Sequence, residues 1–154
     1  MKNVIDFLIH LKVNNDRNWF KENDGLYRNA KAEFEAYIDK LIPELKNMDN
    51  SIDVDSAKSC TFRIFRDVRF SKNKEPYKTN MGAYISKGGR KSVFAGYYVH
   101  FEPDASFLGG GIYMPQSPYL KAIRTAIFND AESYKTIIND PEFKSTFNEI
   151  HGEK

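Results

Sequence analysis

The chain has 154 residues, of which 41% are hydrophobic, 29% charged and 14% aromatic, with a formal net charge of +2 and one cysteine. That length and composition suit one soluble globular domain with a sizeable aromatic core, and exclude intrinsic disorder as the main state and a disulfide framework. No run approaches the eighteen or so consecutive apolar residues of a membrane span, and Met1-Lys2-Asn3-Val4-Ile5-Asp6 meets an acid too early for a secretory signal, so a cytoplasmic location is expected.

The apolar spacing predicts a first helix over 3–12, with Val4, Phe7, Leu8 and Leu11 at i, i+3, i+4 and i+7. Asn14-Asn15-Asp16 breaks it and can cap a short helical turn over 17–21, which would bury Trp19 or Phe20. A long helix is expected over 24–47, with Leu26, Ala30, Phe34, Tyr37, Ile38, Leu41 and Leu45 as its apolar stripe and a kink or restart at Pro43. The polar stretch 48–55 reads as a loop. From Thr61 the period drops to two. Phe62 and Ile64 alternate with Thr61 and Arg63, as in a half-buried strand. Residues 71–80 read as a basic loop, 81–86 as a strand, and Gly88-Gly89 as a tight hairpin. A strong strand follows over 92–102, with Val93, Ala95, Tyr97, Val99 and Phe101 on one face. A further strand over 106–113 is interrupted by Gly109-Gly110-Gly111, which suggests a bulge or a close approach, most simply to a helix. Helices return in the tail. Ser117-Pro118 opens one, Asn129 with Glu132 resembles a capping box for the next, and Asp140-Pro141 starts the last. The expected fold is α+β: one domain over 1–154, with an antiparallel meander flanked by N-terminal and C-terminal helices.

Charge is unevenly spread. Residues 1–57 carry eight Lys/Arg against eleven Asp/Glu, and 92–154 carry five against eight, so each is −3. Residues 58–91 carry ten against two, or +8: Lys58, Arg63, Arg66, Arg69, Lys72, Lys74, Lys78, Lys87, Arg90 and Lys91. Such a cluster repels itself unless it is solvated, paired or occupied by an anion. Arg63, Arg66 and Arg69 stand at spacing three with Asp67 among them, and a guanidinium fork holds phosphate or carboxylate by two parallel hydrogen bonds. On a straight strand Arg66 would face away from the other two, so convergence needs a bulge or a strand end. The competing reading is a solvated edge with internal ion pairs, and charge alone does not separate the two.

Other motifs are weaker. Residues 86–92 lack the first glycine of a phosphate loop and open a strand rather than a helix. Residues 49–60 lack the glycine and the terminal glutamate of a calcium loop, and Cys60 reads as a packed thiol. Phe94, Tyr97, Tyr98 and Tyr113 could stack bases, yet aromatic strands more simply make core, and the signature of an RNA-binding sheet is absent. His100 and Glu102, two apart, share one strand face and could act as an acid–base pair. Taken alone, they read as a surface histidine beside a turn carboxylate.

Several stretches in order carry a resemblance. They are Phe7-Leu8 with Leu11, then Asn14-Asn15, Arg17, Trp19-Phe20 and Tyr27; the run 62–72 with Lys74 and 76–80; 96–103; and Gly110-Gly111 through Pro115 with Leu120 and Ile123-Arg124. By these the chain resembles the uncharacterised bacterial and fungal family named domain of unknown function 2461. The resemblance implies no established activity. It maps the family's polar motif onto Arg63, Arg66, Asp67, Arg69, Lys74, Tyr77, Lys78, His100, Glu102 and Arg124, which favours a site over a solvated face. Asn73 stands where the family pattern resembles an aspartate, so an acid with a catalytic role there would be missing. Members also look longer, so a chain ending at Ile150-His151-Gly152-Glu153-Lys154 is expected to be a truncated copy.

The leading expectation is therefore recognition of an anionic, phosphate-type group. Arg63, Arg66 and Arg69 would supply forked donors, Lys74 and Lys78 point charges, and Tyr77 a hydroxyl or stacking face. Asp67 would orient an arginine, and Arg124 would reach the same place. The alternative is an enzyme for a phosphorylated or carboxylated small molecule, with His100 and Glu102, and Asp67 beside them, as catalytic groups. It gains if His100 and Glu102 line the same cleft as Arg63 and Arg66. A third expectation is a nucleic-acid or protein interaction module. No metal, cofactor or membrane partner is expected.

Overall fold

A computed structural model describes residues 1–148; the terminal residues named above, His151 among them, lie outside the described residues. The chain forms two compact units, residues 1–112 and 113–154.

The first unit opens with α1 (Lys2–Val13), α2 (Arg17–Glu22) and α3 (Asp24–Met48). Val4, Phe7, Leu8 and Leu11 of α1 are buried at the expected spacing. Asp16 caps α2 by accepting the Asn18 and Trp19 amides, satisfying two donors that helix geometry leaves unpaired. Helix α3 does not restart at Pro43. Pro43 and Asp39, whose carbonyl would have been its partner, both lie on the exposed side, so water can serve the freed acceptor. The buried stripe of Ala30, Phe34, Ile38, Ile42 and Leu45 continues past the proline and holds the helix together. Leu26, expected on that stripe, is exposed instead.

A short helix not foreseen in the sequence, α4 (Ala57–Cys60), follows the loop and is tied to α3 by the Ala57 amide donating to Asp39 Oδ1 at 2.6 Å. Three strands, β1 (Met81–Ile85), β2 (Gly96–Phe101) and β3 (Phe107–Gly111), make the antiparallel meander β1-β2-β3, with Met81 opposite Phe101 and Gly96 opposite Gly111. Met81, Ala83, Ile85 and Val99 are buried in one core with the apolar faces of α1 and α3. Phe101 meets Phe34 and Tyr37 edge-on. The fold is α+β, as expected.

Three strand expectations are corrected. The segment from Thr61 is not a ladder strand. It makes only isolated bridges, Thr61 to Ala83 in β1 and Phe65 to Tyr77 in the irregular stretch before β1. Strand β2 starts at Gly96 rather than Ser92, and Val93 is exposed. No tight hairpin forms at Gly88-Gly89. Both glycines have positive φ, +78° and +77°, but they lead into a single 3-10 turn over Gly89–Lys91. Gly89 lies against the Ser59 carbonyl, where a Cβ would come within 2.6 Å. The buried Ser86 hydroxyl bonds the Ser92 hydroxyl and the Ala95 carbonyl, closing a wide loop. In β3 the expected close approach is not what the glycines serve: among the described residues a Cβ on Gly110 or Gly111 would meet nothing within 4 Å.

The second unit holds α5 (Ser117–Asn129), α6 (Ala131–Asn139) and α7 (Pro141–Phe147). Ser117 is the first helical residue of α5 rather than its cap. The cap of α6 is Asp130, which accepts the Ser133 amide, and not Asn129. Asp140 caps α7 as expected. Among the described residues no helix is long and apolar enough to cross a membrane.

Candidate functional site

One concavity of the first unit is a cleft of about 740 Å³. One wall is a face of α3, where Tyr27, Lys31, Phe34 and Glu35 fall at i, i+4, i+7 and i+8. The other wall is the irregular segment Thr61 to Phe65. Lys78, Asn80 and Met81 line the stretch entering β1, and Lys58, Arg90 and Lys91 complete the lining. Six cations therefore face one carboxylate. Lys31 stands 3.7 Å from Glu35. Among the described residues, Lys58, Arg63, Lys78, Arg90 and Lys91 have no carboxylate within 4 Å.

Local structure fixes these groups. The Lys78 amide donates to the Ile64 carbonyl at 2.8 Å, pinning the stretch that enters β1 to the Thr61–Phe65 wall. Asn15 grips the neighbouring residue: its Nδ2 donates to the Tyr77 carbonyl and its Oδ1 accepts the Tyr77 amide, both at 3.1 Å. The Tyr77 ring stacks on Phe20 at 4.0 Å and 11°. Lys78 Nζ lies 5.7 Å from the centroid of the Phe62 ring. Burial, and then the Arg63 charge, pull the Lys78 ammonium below its ordinary pKa. Arg90 is anchored by Nη1 donating to the Lys58 carbonyl at 2.6 Å, and the Gly88 amide donates to Asp53 Oδ1 at 2.7 Å. Cys60 is buried, and that burial pushes its thiol up to about 11, so it is a packing group and not a nucleophile.

The structure brings together only part of the expected constellation. Arg63 and Lys78 line the cleft; Arg66, Arg69, Lys74 and Tyr77 do not. Arg66 reaches Glu75 at 3.5 Å and the Ser71 hydroxyl. Arg69 is held by Asp67 through two parallel hydrogen bonds of 2.9 and 2.7 Å. That guanidinium, with the Arg69 amide and the Arg63 charge adding to it, lowers the Asp67 pKa. Lys74 donates to the Val68 carbonyl. Asn73 accepts the Glu75 amide at Oδ1 in a local turn and donates from Nδ2 to Glu75 Oε2 at 2.9 Å, a second bond that an aspartate at this position could not make. Tyr77 is buried as core. Arg124 lies on α5 of the second unit. Sequence reasoning missed Tyr27 and Lys31, and counted Lys58, Arg90 and Lys91 as basic without placing them at a site.

His100 and Glu102 occupy the sheet face opposite Val99 and are not part of the cleft lining. His100 Nδ1 is 2.9 Å from the Tyr98 hydroxyl, and Nε2 is 3.1 Å from Glu102 Oε2. The Thr79 hydroxyl donates to Glu102 Oε1 at 3.2 Å. The ring nitrogens thus face one hydroxyl and one carboxylate; with the proton on Nε2, the ring donates to Glu102 and accepts the Tyr98 hydroxyl at Nδ1. The ring also stacks on Phe107 at 4.7 Å and 19°.

The family model described as Conserved hypothetical protein (DUF2461) matches residues 3–154. No curated protein and no solved structure matches the chain. With the match spanning all but two residues of the sequence, the chain belongs to this family of conserved hypothetical proteins.

Proposed function

We propose that the cleft between α3 and the Thr61–Phe65 segment binds an anionic, phosphate-type ligand. One observation carries this: five cations line one concavity with no carboxylate within 4 Å among the described residues. Elsewhere in the basic segment the chain supplies Asp67 to Arg69 and Glu75 to Arg66. Like charges gathered in a recess raise the free energy of the folded chain, and a multivalent anion removes that cost. Arg63 offers a planar fork, while Lys58 and Lys78 act as point charges. The single, buried thiol fits a reducing compartment, and we place the protein in the cytoplasm. Calorimetric titration with pyrophosphate in a metal-free buffer of low ionic strength tests the proposal. Binding should weaken with salt, and Arg63→Gln or Lys78→Gln should each cost about tenfold, the scale of one charge-assisted hydrogen bond. Absence of binding at millimolar pyrophosphate refutes it.

A second reading, an enzyme acting on a phosphorylated or carboxylated small molecule, is favoured by one observation. Tyr98, Glu102 and Phe107 hold His100 in a fixed orientation, as a general acid or base requires. It is the weaker reading, since His100 and Glu102 are not among the groups lining the cleft with Arg63.

A further inference from the structure

The cleft has two unlike ends. Tyr27 and Phe65 mark one of them: both pack on the buried ring of Phe20, at 5.0 and 5.9 Å. Phe65 also leans on Tyr77 at 5.5 Å, yet remains 48% exposed while lining the cleft. It is an aromatic ring fixed from behind with surface left over in front. Arg63 and Lys78 stand nearer these rings, and the remaining cations of the lining, Lys58, Arg90 and Lys91, lie away from them. Arg90 is tethered to the Lys58 carbonyl, Lys91 is its neighbour, and α4, which carries Lys58, is anchored to α3 at Asp39, twelve positions along the helix from Tyr27. Arg63 comes between Lys58 and Phe65 in chain order, on the same wall. Along α3 the lining extends from Tyr27 to Glu35, which at 1.5 Å per residue is about 12 Å. Five cations with no carboxylate within 4 Å among the described residues exceed what a single phosphate group neutralises. The volume falls in the range of about 300–1,000 Å³ that holds small molecules.

From this polarity we infer that the ligand is a nucleoside polyphosphate, its base laid on Phe65 and its phosphate chain directed toward Lys58 and Arg90. The inference rests on the anion-binding proposal and adds the flat ring and the phosphate count. A base stacks on an aromatic face whatever its identity, so the cleft selects for the presence of a base more than for which base it is.

The test compares wild-type affinities for ADP, pyrophosphate and a ten-residue oligothymidylate in metal-free buffer, with Phe65→Leu and Phe65→Tyr beside them. Stacking of this kind adds roughly tenfold or more to affinity. ADP should therefore bind at least about tenfold tighter than pyrophosphate. Phe65→Leu should erase that advantage while leaving pyrophosphate unchanged, and Phe65→Tyr should keep it. If Phe65→Leu does not fold, having lost its packing on Phe20, the wild-type comparison and Phe65→Tyr decide. Equal affinity for ADP and pyrophosphate, or an ADP advantage that survives Phe65→Leu, overturns the nucleotide while the anion proposal stands. An oligothymidylate bound tighter than ADP overturns it in favour of a single strand. Failure of pyrophosphate itself to bind removes both.

Discussion

Replacing Asn15 with alanine should loosen the wall of the cleft from a distance. The Asn15 amide makes two 3.1 Å hydrogen bonds to the backbone of Tyr77 across 62 positions of sequence. A net hydrogen bond is worth about 1 kcal/mol, and a part-buried donor or acceptor left without a partner costs a similar amount again. Asn15→Ala should therefore destabilise the first unit by about 2–3 kcal/mol. The one tryptophan, Trp19, sits in the same unit beside Phe7 at 6.4 Å. Its fluorescence in urea thus reports this unit. With a urea dependence of about 2 kcal/mol per molar, the midpoint should fall by roughly 1 M. Asn15→Asp should fall at least as far, because it keeps the acceptor for the Tyr77 amide but sets a carboxylate oxygen against the Tyr77 carbonyl. The adjacent Lys78 would lose its fixed position, so pyrophosphate affinity should drop as well. A midpoint shift below about 0.2 M would show that the amide grip is not what holds this segment.

Other outcomes follow from the same coordinates. A Cβ on Gly96 would come within 2.6 Å of the Ile85 carbonyl and 2.5 Å of Ser86 Cβ, so Gly96→Ala should cost about 2–3 kcal/mol in the urea assay. Gly25→Ala in α3, where nothing lies within 4 Å, should instead gain about 0.5 kcal/mol. Asp49 is held below its usual pKa by the Ser51 hydroxyl, then the Ser51 amide, with the Tyr97 hydroxyl adding to them. Its folded value is depressed, so its contribution is full above the ordinary aspartate pKa of about 4 and is lost as pH falls through the lower folded value. Urea midpoints measured across acid pH should therefore decline less steeply for Asp49→Asn than for the wild type; matching acid limbs would refute this. Lys78→Met removes a half-buried ammonium that lacks a carboxylate partner among the described residues, and should raise stability at neutral pH by a few tenths of a kcal/mol while weakening pyrophosphate binding. A loss of stability would contradict the view that Lys78 is kept at a cost to the fold.

Helices α1 to α3 were legible because their apolar residues repeat at the helical period and Asp16 supplies a cap. The meander order and the core face of Val99 were legible from period-two alternation. Helix α4 was not, since four residues carry too little periodicity to register. Nor was the late start of β2, which depends on Ser86 closing a loop to Ala95. The site was half legible. The basic run was plain, but net charge does not say which cation an acid will claim. Asp67 takes Arg69 two residues away, and Glu75 takes Arg66, leaving Arg63 and Lys78 for the cleft. Lys31 reads as one more exposed helix lysine until α3 is set opposite Arg63. The Lys58–Arg90 tether spans 32 positions, beyond any local pattern.

The most direct measurement is an amide chemical-shift map recorded while pyrophosphate is added to the labelled protein. Saturable shifts should gather at Lys58, Arg63, Lys78 and Arg90, and should need about tenfold more pyrophosphate to saturate in Arg63→Gln. Shifts gathered at Arg66 to Lys74, or around His100, would place the anion elsewhere and contradict the cleft.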